Sequence, residues 1–366
     1  MPLSLPDKVM DALSQHATLH VPRQLARVAA VTMLGLAIAP AATATAQPYT
    51  NGSQAILEHC WSPAQLAGSP RDKELLDLTD TTLFNREPPV RTMPLMPASP
   101  LRESDRGSIR RVRLPPGDRR IALTFDLCEM ASDVTGYDAE LVNYLREHQV
   151  RATFYAGGKW MRSHPEQTKQ LMADPLFELG NHAWTHGNLH YLSPEEASEQ
   201  IFWTQAQYEL LREELAASAC VRRLPPAEMA TVPRRLGSFR FPFGTCNRSA
   251  LDQLAAAGLP AVQWDIVTGD PTRKTTAVQI AERIHREVHP GAIIIAHANG
   301  RGWHTAAALD LFIPRLRRQG YTFATVSELL AAGTPVSVDT CYWNRPGDVD
   351  YVDRKYGKGT EKPWPR

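Results

Sequence analysis

No CxxC pair occurs in this chain of 366 residues, which speaks against a structural zinc knuckle. No glycine-rich loop follows its first apolar run, so nothing there resembles a nucleotide phosphate site. The net charge of +1 gives no strong field for nucleic acid or an anionic surface. Only five cysteines are present, Cys60, Cys128, Cys220, Cys246 and Cys341. That number suits an exported protein with one or two disulfides and leaves at least one thiol over. The 43% apolar and 22% charged fractions are those of an ordinary folded protein with ample length for a core.

What is abundant is proline, with 29 residues, many of them outside the region that carries motifs. Arg23 and Arg27 precede an uncharged stretch, 28–46, that ends in small residues before Gln47. This order predicts a signal peptide over 1–46 and an exported protein, periplasmic or extracellular. Pro40 speaks against a regular spanning helix, so membrane association is expected only if the segment stays uncleaved as an anchor. Residues 47–117 read as a Pro-rich extension without sustained periodicity, and the arginine-rich stretch 102–120 as a solvated face or a contact for an anionic polymer. Residues 118–335 form the main domain, and 336–366 a polar tail that wraps the surface or is partly disordered.

From Ile121 short apolar runs alternate with helical patterns. The runs are 121–126, 152–156, 177–181, 238–241, 261–267, 291–297 and 321–325, with helix-like stretches such as 137–148 and 275–289 between them. About seven βα repeats predict an α/β fold with parallel strands, closed as an irregular (β/α) barrel.

The reactive side chains fall at one address, the C-terminal ends of these strands, where loops carry function on a rigid frame. "TFDLCE" (124–129) brings Asp126 and Glu129, and "GNHAWTH" (180–186) brings His182 and His186. "FRFPFG" (239–244) brings Arg240, while Asp270 and His297 follow later strands. Two imidazoles four apart can converge on one cation, and imidazole with carboxylate oxygen suits zinc, with cobalt, manganese or nickel as alternatives. Arg240 could hold Asp126 ionised. His297, after a wholly apolar run, is either a satisfied core histidine or a general acid. Trp160, Trp184 and Trp303 are candidate sugar platforms or core residues.

In that order the motifs resemble the polysaccharide deacetylases of carbohydrate esterase family four, the NodB-homology domain, over roughly 119–330. The resemblance implies an irregular (β/α) barrel and a metal-dependent hydrolase that removes N-acetyl groups from an amino-sugar polysaccharide or oligosaccharide. It implies Asp126 as general base, His182 and His186 as metal ligands, and Arg240 as the group orienting the base. It further implies His297 as general acid tuned by Asp270, with Trp264 and the backbone at Phe243 against the substrate. The family's usual second aspartate is here Leu127, which cannot ligate. Glu129, or else Cys128, then supplies the missing donor. Alternatively Asp126 is the ligand and Glu129 the base, or two histidines hold the metal weakly and activity is low or absent. Glu129 is the expected ligand. Pro271 and Ala298 also depart from the family pattern, and 219–236 reads as an inserted lid or surface loop. An O-acetyl esterase and a catalytically silent glycan-binding protein are the rival functions.

Overall fold

The structure, a computed structural model, describes residues 52–95 and 98–359, so the expected signal peptide lies outside the described residues. Its central strand, Arg120–Leu127, runs parallel to Ala152–Ala156 on one side and to Ile293–His297 on the other. Phe177–Asn181 and Ile266–Val267 continue the sheet outwards, and Thr322–Ala324 lies beside the first half of the central strand. Single parallel bridges then link Asn181 to Phe239 and Phe239 to Ala261. The predicted 261–267 run divides in two: Ala261–Val262 bonds toward Phe239 and residues 108–109, while Ile266–Val267 bonds to Ile294 and Ile295. The fold is thus α/β with parallel strands, and its ring is carried on by single bridges rather than an unbroken ladder.

Alternation along the central strand sorts its side chains. Ile121, Leu123, Phe125 and Leu127 join the large core with Leu141, Val142 and Leu145 of the Ala139–Glu147 helix. Ala122 packs on the opposite side with Tyr155, Ile293 and Ile295. The covering helices begin where their sequences supply caps. Asp138 accepts from the Leu141 N–H, and reciprocal Thr276–Gln279 and Ser193–Glu196 boxes open Ala277–Glu287 and Pro194–Ala217. Leu309, Phe312, Ile313 and Leu316 bury one stripe of Thr305–Arg318. Each such side chain contributes roughly 1.5–3 kcal/mol by leaving water.

Two expectations need correcting, and the 47–117 extension finds its place against the core: Ile56, Leu57 and Trp61, on and beside the helix Gln54–Cys60, sit in the main core. Its arginine-rich end forms a strand, Ser108–Arg113, antiparallel to Thr334–Val338, and the buried Arg110 donates to the carbonyls of Tyr342 and Trp343. The 219–236 insertion is packed too, with Val221, Val232 and Leu236 in the main core and Cys220 bonded to Cys60. Cys246–Cys341 is the second disulfide, which leaves Cys128 as the free thiol among the described residues. The C-terminal tail carries a helix, Asp350–Tyr356, rather than only trailing over the surface. No helix among the described residues is long and apolar enough to cross a membrane.

Candidate active site

Strand register sets the site. Asp126 lies level with His297 across neighbouring parallel strands, so both side chains emerge at one sheet edge. They open on a cavity of about 540 Å³, together with Cys128, His186, Phe243, Trp264 and Asp270.

Arg240 is fully buried, and each of its nitrogens has a partner. Nη1 donates to Asp126 Oδ1 at 2.9 Å and to Thr124 Oγ1 at 2.7 Å. Nε and Nη2 donate to the carbonyls of Val262 and Gln263. A guanidinium so held fixes one oxygen of Asp126 and leaves Oδ2, 3.6 Å from His182 Nε2, toward the other polar groups.

His182 and His186 come from the tight turn after Phe177–Asn181. In that turn Ala183 and His186 have positive φ, 65° and 57°. Side-chain-bearing residues there are strained, a feature concentrated at functional sites. The ring centroids lie 5.0 Å apart. His182 Nδ1 lies 2.9 Å from the Arg240 carbonyl, which only accepts, so Nδ1 carries the proton and Nε2 presents a lone pair. That Nε2 is 3.3 Å from Cys128 Sγ. Burial raises the Cys128 thiol, but His186 and His182 outweigh it and leave the thiol well below its ordinary value. Burial also pulls His186 down, whereas His182 is raised despite burial by Asp126 and Cys128.

His297 Nδ1 sits 3.0 Å from Asp270 Oδ1, and its backbone N–H donates to Oδ2 at 2.7 Å. Thr268 and Thr305 hydroxyls donate to the same carboxylate at 2.9 and 2.7 Å, so Asp270 is clamped by four donors. Burial opposes charge on His297, but Asp270 and the nearby thiol win and raise it well above 6.5.

Glu129, the expected ligand, is turned away from the histidines. Its Oε1 accepts from Lys159 Nζ at 2.7 Å and Ser163 Oγ at 2.6 Å, and Oε2 from the Thr135 N–H at 3.0 Å. Both Glu129 and Lys159 are buried, and a lysine there requires a counter-charge. Leu127 is buried in the core. Cys128, His182 and His186 instead bring one donor atom each within 4.8 Å of one another. A thiolate with two imidazoles is a zinc-type donor set, so the residues present fit a bound cation.

Sequence reasoning missed the outer wall. Trp343, Val352 and Tyr356 line the cavity, with Lys355 and Tyr351 beside them. Trp343 Nε1 donates to the Phe243 carbonyl at 2.8 Å, and the Phe243 ring stacks on Tyr356 with centroids 5.5 Å apart. Asp353 accepts from Asn188 and Thr245 and pairs with His190, which clips the tail helix to the histidine turn. The signal was Cys341, whose partner Cys246 lies two residues beyond Gly244. Trp160 and Trp184 are core residues; Trp303 is partly exposed, with its Nε1 on the Pro271 carbonyl.

The family described as polysaccharide deacetylase matches residues 113–217. A peptidoglycan-N-acetylglucosamine deacetylase, PgdA, of Listeria monocytogenes is 28% identical over 58% of this chain and 39% of its own length. A chitooligosaccharide deacetylase of Bradyrhizobium is 27% identical over 58% of this chain and 91% of its own. The chain spans about half or less of the first curated relatives it matches. Among solved structures, BA3943 of Bacillus anthracis, described as a CE4 family pseudoenzyme, aligns at 25% identity. That alignment covers 67% of this chain and 72% of the other, with a TM-score of 0.49. The resemblance read from the motifs is borne out by the family match and the two curated deacetylases.

Proposed function

We propose, from the premise that this chain is of the polysaccharide deacetylase kind, that it removes N-acetyl groups from an amino-sugar polymer or oligomer. The observation that carries the reading is that Asp126, His186, Asp270 and His297 line one cavity, with Arg240 bonded to Asp126 and the His182 ring 5.0 Å from that of His186. The names of relatives acting on peptidoglycan and chito-oligosaccharides support the substrate class.

His182 and His186, with a third donor, would hold a divalent cation, zinc by the nature of the donors, with cobalt, manganese or nickel as substitutes. Such a cation, when bound, polarises the amide carbonyl and brings the pKa of water toward about 7. The chain's own residues do the rest. Asp126, fixed by Arg240, takes the proton of the attacking water. His297, whose charged form Asp270 favours, gives a proton to the departing amine; otherwise the tetrahedral intermediate collapses backwards. Trp264 and Phe243 line the cavity where the sugar would sit, and the resemblance implies the backbone N–H near Phe243 as an oxyanion donor.

Acetate release from chitin oligomers or peptidoglycan fragments with added Zn²⁺ or Co²⁺ tests this reading. No release from either, with release from acetylated xylan, would make the chain an O-acetyl esterase instead. A glycan-binding protein without turnover is the second reading. It is favoured by Leu127, buried where the family has a metal-binding aspartate. Metal-free protein that still binds glycan would establish it. The leader and the two disulfides support an exported protein, periplasmic or extracellular.

A further inference from the structure

We infer that Cys128 is the third metal donor, so that the cation is held by one thiolate and two imidazoles where relatives use a carboxylate. This rests on the metal-dependent reading above and names the ligand that reading leaves open.

The inference begins with strand geometry. Side chains along a strand point alternately to its two faces, and position 127 belongs to the face that packs under the helices. A carboxylate substitute therefore cannot come from Leu127 without leaving the core. Asp126 and Cys128 both line the cavity. Asp126 is engaged by Arg240 at 2.9 Å, and Glu129 by Lys159 at 2.7 Å. Asp126 Oδ2 lies 3.6 Å from His182 Nε2, but among the described residues the set that joins both histidines, with donor atoms within 4.8 Å of one another, is completed by the Cys128 thiol.

The distances agree with one small cation between them. Zinc bonds of about 2.3 Å to sulfur and about 2.0–2.1 Å to nitrogen, at a tetrahedral angle, separate the two atoms by roughly 3.5 Å. Cys128 Sγ and His182 Nε2 are 3.3 Å apart. The Arg240 carbonyl fixes the tautomer that aims the Nε2 lone pair at this point. Two strained residues, Ala183 and His186, shape the turn that presents both rings. Bound to the cation the sulfur is a thiolate, and Asp126 stays unligated as the base. Sulfur in the set favours zinc or cobalt over manganese or magnesium.

The test uses the whole chain stripped by a chelator and titrated with Co²⁺ alone, read by electronic absorption. Four of the five cysteines are joined in disulfides, so any sulfur-to-cobalt charge-transfer band reports Cys128. We expect one cobalt per chain with that band in the near ultraviolet. In Cys128→Asp we expect cobalt retained and the band lost. Cobalt bound to the unmodified chain without the band would overturn the inference, as would failure to bind cobalt at all. Neither overturning result depends on a variant folding. A chain that shows the band yet releases no acetate from any glycan would refute the deacetylase reading and leave the ligand assignment standing.

Discussion

At the scale of single residues, two carboxylates of similar burial do different work because their partners differ. Asp270 is the positioning residue of His297, and its four donors keep it oriented. Asp270→Asn should lower the imidazole's pKa and move the alkaline limb of the pH–rate profile to lower pH. Turnover near neutrality should fall by about 10²-fold or more. Both are read from kcat against pH. Glu129 is a structural counter-ion. Glu129→Gln leaves Lys159 buried without its charge partner and should cost roughly 3 kcal/mol in urea unfolding, while bound metal per folded chain stays unchanged. The sequence showed Asp126, Arg240, His182, His186, Asp270 and His297 at strand ends, and the structure gathers these six at one site. Glu129 was misjudged because proximity along a loop says nothing of direction. Lys159, which claims its carboxylate, stands thirty positions later in an unremarkable stretch.

At the scale of elements, the strands were legible where apolar runs were continuous and lost where they were not. Ile293–His297 announces itself, whereas Ser108–Arg113 holds three arginines in six residues and reads as surface. Its burial comes from partners far along the chain, 261–262 and 334–338, which no local pattern encodes. The tail was misread for the same reason, since its apolar residues are few and their target, Phe243, lies a hundred positions upstream. Replacing Cys341 by serine should loosen the wall formed by Trp343, Val352 and Tyr356. We expect KM for a chito-oligosaccharide to rise more than kcat falls, because the wall lines the cavity while the proton-transfer groups are set by the strand ends.

For the whole molecule, long-range ties matter more than local ones. Cys60–Cys220 spans 160 positions and fastens the first described helix to the packed insertion. Replacing both cysteines by alanine should lower stability by about 2–5 kcal/mol, measured by urea denaturation under oxidising conditions. His289 pairs with Asp265 at 2.8 Å, and this partner raises the imidazole above 6.5. The group therefore stabilises the fold fully below about pH 6.5, and the contribution is lost as pH climbs through the raised value. The melting-temperature deficit of His289→Gln should be larger at acidic than at alkaline pH.

The tail helix carries a last consequence, one of timing. A chain is synthesised from its first residue onward, and every described strand that pairs directly with the central one is complete by Ala324. The outer wall still awaits Trp343 and Tyr356, and Gly359 closes against the Phe243 ring where a larger residue would collide. A product that stalls or is clipped between these points could assemble its proton-transfer groups and yet grip no sugar. The grip on the sugar is then a property the chain acquires later in its synthesis than its proton-transfer groups.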